Sequence, residues 1–385
     1  MSERLLRLVC TAAVAAGIVL APVPAAAEPA PGTADDRTVA GLLTDLQRLY
    51  REAERATETY NGTEERLKKQ RAEVRRLDAE LARARTSLHD SRGAAGRLAR
   101  QQYQSSSNLS PYLRLLLARD PQHAIDQGHV IGRLARERVD TVGRLTGDEK
   151  KAQELSRRSR EALARQAALA ERQEEERDGV RERLRAVEEL LASLTPDQLA
   201  ALAELENSGI AEEQERFLAS GALGDDAKPS AGGESAVRFA VEQLGKPYEW
   251  GAEGPASYDC SGLTSVAWER AGTPIPRTSQ EQWARLDHVP LDELRPGDLV
   301  VYFPEATHVA MYLGDGMVVQ APRPGADVKV SPIAANPVLG AVRPDPDGEP
   351  VRRYTPPRLP AGATDGSDQG YAASYAPAAP ETSAR

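Results

Sequence analysis

A heptad pattern runs through the first half of the chain and restricts what that half can fold into. Apolar or small residues recur at alternating steps of four and three, and charged residues fill most positions between them. This spacing predicts a long coiled-coil helix. The predicted seam consists of Leu42, Leu46, Leu49, Ala53, Ala56, Tyr60, Thr63, Leu67, Gln70, Val74, Leu77, Leu81, Ala84 and Leu88. Because several seam positions hold alanine, threonine or glutamine, a partner helix has to pack closely against this one.

A second long helix is predicted after a break in this pattern. The serine-rich stretch 105–111, which ends in proline, interrupts the first helix. The second helix covers about 122–194, and Thr195 restarts a shorter helix that ends near residue 217. We therefore expect a long α-helical coiled-coil hairpin over residues 41–218.

The extreme N-terminus resembles a secretory signal peptide. Arg4 and Arg7 precede an apolar run over 8–20, and three alanines before Glu28 form a cleavage site. The apolar run is shorter than the ~20 residues that cross a bilayer, so a retained anchor is the less favoured interpretation. We expect a cleaved signal peptide over 1–27, a secreted protein, and a disordered lead over 28–40.

Charge and cysteine content narrow the classes of function. The formal net charge of −9 argues against nucleic acid as the main partner. Removal of the signal peptide leaves Cys260 as the single cysteine, so the mature chain forms no internal disulfide. Cys260 is then either a buried, inert thiol or a reactive one.

Cys260 lies where a loop turns into a predicted helix. Asp259 is a favourable N-cap, and Gly272 supplies the helix stop. Backbone N–H groups and the dipole at a helix start stabilise a thiolate. This placement favours a nucleophile over a packing residue, and we expect Cys260 to be held ionised.

Composition divides the rest of the chain. Gly, Asp, Pro and Ser dominate 219–234, which predicts a flexible linker, and the Pro- and Ala-rich stretch 355–385 predicts a disordered tail. Residues 235–354 have the length of a small domain. Helical segments precede short strands there, which predicts an α+β fold with helices packed on an antiparallel sheet.

A cysteine nucleophile needs a base, and His308 is the better placed of two candidates. His288 is expected in a surface loop, whereas His308 opens a predicted strand that can fix its ring. If residues 314–316 form a three-residue loop, Ala310 faces Gln320, and Gln320 becomes the diagonal neighbour of His308. A two-residue loop would shift the register and point Gln320 away.

Five short motifs of this domain occur in the order seen in the NlpC family of papain-like cysteine endopeptidases. The motifs are Pro247-Tyr248-Glu249-Trp250-Gly251, Asp259-Cys260-Ser261-Gly262-Leu263, Pro276-Arg277-Thr278-Ser279, Pro296-Gly297-Asp298-Leu299 and His308-Val309-Ala310-Met311-Tyr312-Leu313-Gly314. The resemblance spans about 235–343 and implies a papain-like, NlpC-type domain. It also implies action on bacterial peptidoglycan stem peptides, at the bond between D-glutamate and the following diamino acid, without a metal or cofactor.

The resemblance implies a role for each candidate site residue. Cys260 becomes the nucleophile and His308 the general base and acid, while Gln320 takes the position that orients the imidazole. Tyr248 matches a tyrosine placed near the oxyanion, and Ser261 lines the substrate groove beside a backbone oxyanion donor. Many relatives carry histidine where this chain has Gln320. An amide can also orient an imidazole, but it stabilises an imidazolium less than a carboxylate does.

From these features we expect a peptidoglycan endopeptidase that works through a thioacyl-enzyme in cell-wall remodelling or daughter-cell separation. Two alternatives stay open: a scaffold that activates other wall hydrolases and has a weak catalytic domain, or an acyltransferase or amidase on the same fold. The hairpin is either a spacer or a regulatory arm that covers the active site. Its apolar tip, Leu113–Leu117, is expected to meet a membrane division complex.

Overall fold

The computed structural model describes residues 38–105, 120–224 and 227–368. The expected signal peptide, the tip Leu113–Leu117 and the last residues of the tail lie outside the described residues. Within the described ranges, none of the helices combines the length and the apolar character needed to cross a bilayer.

The described part of the N-terminal half contains three helices. Helix α1 spans Val39–Ser105, α2 spans Pro121–Ala192 and α3 spans Pro196–Ala219. The Asp120 side chain caps α2 by accepting a hydrogen bond from the backbone N–H of His123, and Thr195 with Gln198 forms a capping box at α3. Helices α1 and α2 pack against each other, which confirms the predicted helical hairpin.

The seam of α1 has two different parts. Its distal part packs against α2 through a buried cluster that consists of Val74, Leu77, Leu81, Ala84, Ala152, Leu155 and Ala162. Its proximal part buries apolar seam residues such as Leu42 and Leu46, and polar side chains beside the seam are also buried there, among them Glu54, Glu58 and Asn61. Buried polar groups need partners, and those of Glu58 and Asn61 lie in the C-terminal domain. That the packing is a coiled coil in the strict sense stays a prediction.

The C-terminal domain packs three helices on one antiparallel sheet. The helices are α4 (Ala231–Val241), α5 (Cys260–Arg270) and α6 (Ser279–Arg285). The strands are β1 (Asp287–Val289), β2 (Leu299–Tyr302), β3 (His308–Gly314), β4 (Met317–Gln320), β5 (Lys329–Pro332) and β6 (Val338–Arg343). Their order is β1-β6-β2-β3-β4-β5, with α5 against β3. The predicted α+β fold is confirmed.

The predicted flexible linker over 219–234 is wrong in its second half. Helix α4 begins at Ala231, and Ser230 Oγ caps it by accepting from the backbone N–H of Gly233 at 2.8 Å. A Cβ on Gly233 would lie 2.7 Å from the carbonyl oxygen of Pro296. Glycine is therefore present because the backbones approach closely, whereas the sequence composition suggested a mobile linker.

The predicted disordered tail over 355–385 is wrong for residues 355–368. Ala363 is buried, and its carbonyl oxygen accepts a hydrogen bond from the backbone N–H of Val330 in β5 at 2.8 Å. Strand β5 is an edge of the sheet, so the tail satisfies a backbone donor that the edge leaves open. Composition alone does not reveal such a partner.

The turn between β3 and β4 differs from the expected three-residue loop. Gly314 pairs with Met317, which leaves only Asp315 and Gly316 in the turn. Both have positive φ, 53° and 69°, as two-residue hairpin turns often require. The turn is therefore the two-residue alternative and not the three-residue loop.

A bulge at Leu313 nevertheless keeps the register that matters for the site. Leu313 is an extra residue on β3 where the pairing shifts. It compensates for the shorter turn, so Met311 lies opposite Val319. Ala310 is then opposite Gln320, as expected, although a different turn produces this pairing.

Candidate active site

A buried ion pair fixes the start of α5, where Cys260 is the first helical residue. The predicted N-cap is confirmed, because Asp259 Oδ1 accepts from the backbone N–H of Gly262 at 2.6 Å. The Arg277 guanidinium grips the same carboxylate, with Nη1–Oδ1 at 3.0 Å and Nη2–Oδ2 at 2.7 Å. Two charge-assisted bonds hold the loop before the sulfur in one geometry.

His308 and Gln320 face each other across two neighbouring strands. The ring Nε2 of His308 lies 2.6 Å from Gln320 Oε1. Since a carbonyl oxygen only accepts, Nε2 carries the proton and Nδ1 is the basic nitrogen. Burial lowers the pKa of His308 to about 4, so the ring is neutral near pH 7. His288, expected in a loop, lies on β1 and contacts the carbonyl oxygen of Trp283.

Tyr248 and Ser261 lie close to the sulfur. Tyr248 belongs to the same buried cluster as Cys260, and burial raises its pKa well above the ordinary value. Ser261 is fully buried, and its Oγ accepts from Arg277 Nη1 at 2.9 Å. One nitrogen of the His308 ring has no partner: Nδ1 makes no hydrogen bond within the described part of the chain.

Glu58 of α1 closes the site. Its Oε1 accepts a hydrogen bond from Ser261 Oγ at 2.8 Å and lies 3.7 Å from Cys260 Sγ. Its Oε2 accepts from the backbone N–H of Ser279 at 2.9 Å. Cys260 retains only 3% of its exposure as a result of this cover and its own packing. The carboxyl group of Glu58 therefore lies directly beside the sulfur.

Further contacts hold α1 in this position. Arg55 forms an ion pair with Glu305 at 2.6 Å, and the rings of Tyr60 and Trp250 meet edge-on with 5.0 Å between their centroids. Asn61 donates a hydrogen bond to Asp259 at 3.1 Å, and the guanidinium of Arg323 lies 5.0 Å from the ring centroid of Tyr50. Helix α1 is thus docked along several turns and not by Glu58 alone.

The expectation that the helix start holds Cys260 ionised is wrong for this docked arrangement. Burial raises the pKa of Cys260 well above the ordinary value, and the neighbouring Glu58 raises it further. Desolvation and a like charge both disfavour a thiolate and here outweigh the helix dipole. Sulfur and imidazole are therefore both neutral while α1 is docked.

Two carboxyl groups of α1 are buried in this interface. Burial raises the pKa of Glu54 to about 7, although Arg323 and Arg51 act in the opposite direction. Burial, and then the charge of Asp259, raise the pKa of Glu58, while Arg277 partly offsets both. Within the described residues neither carboxyl oxygen of Glu54 has a hydrogen-bond partner. The interface therefore favours the protonated form of both groups.

Several residues of this site were not predicted as site residues from the sequence. Arg277 lies in one of the quoted motifs but had no assigned role, and Glu58 and Asn61 were counted among the polar positions of a helix. One signal was present: the seam is thin around Ala53 and Ala56, where the buried face of α1 becomes polar.

Comparison with known proteins gives one matched region, which contains Tyr248, Cys260, Ser261, His308 and Gln320. Residues 245–340 match the model of the NlpC/P60 family. A probable endopeptidase of Corynebacterium glutamicum is 47% identical over 96 residues, which cover 25% of this chain and 46% of the relative. A probable endopeptidase of Mycobacterium tuberculosis is 37% identical over 116 residues, which cover 29% of this chain and 30% of the relative. The chain thus spans less than half the length of either curated relative.

Among solved structures, the chain is similar to the NlpC/p60 domain of the peptidoglycan hydrolase SagA. The identity is 31%, the match covers 29% of this chain and 97% of that domain, and the TM-score is 0.28.

Replacing Glu58 should expose the sulfur. In a Glu58→Ala variant, α1 loses the hydrogen bonds to Ser261 and Ser279, each of about 1 kcal/mol or more. We expect Cys260 to be alkylated by iodoacetamide about tenfold faster than in the wild type. Glu52→Ala is the matched control, because Glu52 lies on the same helix but pairs with Arg48. Equal alkylation rates for the two variants would show that Glu58 does not hold α1 against Cys260.

The cover should also loosen as pH rises. The docked state raises the pKa of Glu54 and Glu58, so docking is strongest below the ordinary carboxyl value of 4.5 and weakens as pH rises to about 7. At each pH, the alkylation rate of the wild type is divided by that of a Glu54→Gln, Glu58→Gln variant. In this ratio the effect of the ionisation of the sulfur itself cancels. This ratio should climb between pH 5 and 7, whereas a ratio independent of pH would contradict the titration of these carboxyls.

Proposed function

The C-terminal part of this chain is an NlpC/P60 family domain, and on that premise we propose that the protein is a peptidoglycan endopeptidase. It would hydrolyse an amide bond of the stem peptide, between D-glutamate and the following diamino acid. The observation that supports this most directly is the His308–Gln320 contact of 2.6 Å, which leaves Nδ1 as the basic nitrogen of the ring.

The proposed reaction uses Cys260, His308 and Tyr248. Cys260 transfers its proton to Nδ1 of His308 and attacks the substrate carbonyl. The oxyanion that forms is stabilised by backbone N–H groups at the start of α5 and by the hydroxyl of Tyr248. His308 then protonates the leaving amine, which yields a thioacyl-enzyme. The same nitrogen removes a proton from water, whose attack on the thioester releases the acid product and restores the thiol.

The hairpin would act as an inhibitory arm rather than as a spacer. A spacer has no reason to bury Glu58, Asn61 and Glu54 against the catalytic residues, because burial of polar groups is costly. The docked state holds a neutral thiol with a carboxyl group beside it, and no carbonyl can reach the sulfur. Activity would therefore require at least the segment around Glu58 to leave.

Export and the partner of the arm extend this proposal. The signal peptide over 1–27 would deliver the protein to the cell wall. The apolar tip Leu113–Leu117 would then meet a membrane division complex that pulls on the hairpin. Co-purification of the full chain, compared with a variant in which the tip leucines are serine, tests this partner.

The rival functions predict different products. A scaffold with a weak domain predicts wall lysis that does not depend on Cys260, whereas Gln320 bonded to His308 supports a working orienting residue. An acyltransferase predicts transfer products in place of free acids. Masses of the released fragments distinguish these cases.

We expect a Glu58→Ala variant of the full chain to release muropeptide fragments from purified sacculi about tenfold faster than the wild type, in line with the lost hydrogen bonds. The same variant with Cys260→Ala should release none. Point variants are preferable to a fragment that starts at residue 235, because such a fragment would cut α4. Undiminished release without the sulfur would overturn the proposed function.

A further inference from the structure

The C-terminal tail brings a carboxylate to the back of the catalytic residues. Its segment 360–368 lies along β5, where Lys329 Nζ donates to the carbonyl oxygen of Gly366 at 2.5 Å. Asp368 is only 5% exposed and lies 3.3 Å from the same Nζ. The neighbouring Ser367 donates to Glu206 of α3 at 2.6 Å. The tail is therefore held from both sides and does not hang loosely over the sheet.

Asp368 contacts the residue that orients the imidazole. The Gln320 Nε2 donates to Asp368 Oδ1 at 3.2 Å and to Ser331 Oγ at 2.8 Å. The hydroxyl of Ser331 in turn donates to Asp368 Oδ1. A chain of hydrogen bonds thus connects the tail carboxylate, the Gln320 amide and the ring of His308.

We propose that Asp368 is a positioning residue that sets the orientation of the Gln320 amide and, through it, the tautomer of His308. A carboxylate accepts hydrogen bonds and donates none. The amide must therefore turn its NH₂ group toward Asp368 and its carbonyl oxygen toward His308. That oxygen in turn requires a proton on Nε2 of the ring, which leaves Nδ1 as the base.

Without Asp368 the amide loses this constraint. The hydroxyl of Ser331 can donate or accept, so it satisfies either orientation of Gln320. A flipped amide presents NH₂ to Nε2 of His308, which must then lose its proton to Nδ1. A ring protonated at Nδ1 cannot accept the proton of Cys260. In triad enzymes, the wrong tautomer of the histidine strongly lowers kcat. A carboxylate as third residue would not have this ambiguity, because both of its oxygens only accept.

The catalytic consequence rests on the proposed function, but the tautomer does not. The first measurement is therefore ¹⁵N NMR of the histidine rings in the full chain, with the His308 signals identified by their loss in His308→Gln. We expect the wild type to carry the proton on Nε2. Asp368→Ala, and the nearly isosteric Asp368→Asn, should move a measurable fraction to Nδ1. Asp365→Ala is the control, because Asp365 is exposed on the same tail.

A swapped pair separates positioning from mere packing of the tail. In Gln320→Glu with Asp368→Asn, the carboxylate faces His308 directly and the amide lies behind it, so the proton should return to Nε2. Loss of tail packing alone would not be reversed by this exchange. An Asp368→Asn spectrum identical to the wild type, or a swapped pair no better than Asp368→Asn, would overturn the inference.

The second measurement is kcat for fragment release in the Glu58→Ala background. Asp368→Asn should lower kcat about tenfold with little change in KM, since general-base catalysis is weakened and substrate binding is not. The swapped pair should recover most of that loss, and Asp365→Ala should lose none. An equal kcat for Asp368→Asn and its parent would overturn the positioning role. If no variant releases fragments at all, the proposed function fails, while the NMR result still decides the role of Asp368.

Discussion

The buried ion pair between Asp259 and Arg277 fixes the part of the site around Cys260. Asp259 caps α5 and also accepts from the backbone N–H of Gly251 at 2.9 Å. Arg277 orients the hydroxyl of Ser261 and reaches Glu253 at 2.7 Å. Breaking a buried pair by removal of one partner leaves an unpaired charge and costs about 3–5 kcal/mol. The loop before Cys260, the start of α5 and the orientation of the Ser261 hydroxyl therefore depend on one interaction.

The same pair also sets the electrostatic conditions under which α1 docks. Asp259 raises the pKa of Glu58, and Arg277 lowers it. The two charges thus act on the pKa of Glu58 in opposite directions, while burial has the largest effect on it. Helix α1 therefore docks well only when this carboxyl group is uncharged, so its docking depends on pH. The sulfur responds to the same surroundings, since a departing Glu58 removes both a cause of its burial and a nearby negative charge.

The sequence predicted those features that depend on local pattern. Heptad spacing indicated the helical hairpin, the N-cap at Asp259 located the start of α5, and alternation in β3 and β4 placed Gln320 beside His308. The last result depended on a compensation, because a bulge at Leu313 offsets a turn that is one residue shorter than expected. The two-residue turn was one of the alternatives that the sequence offered, whereas the bulge was not inferred from the residues.

Features that depend on distant partners were not predictable in this way. Glu58 resembles any solvated glutamate until the C-terminal domain lies against it, 202 residues away from Cys260. Gly233 suggested mobility because its packing against Pro296 is not visible in composition. The tail around Ala363 suggested disorder for the same reason. The path of the tail along β5 has a protective consequence: β1 at the other edge is only three residues long, so the sheet offers no long bare margin on which a second polypeptide could add as a strand and start aggregation.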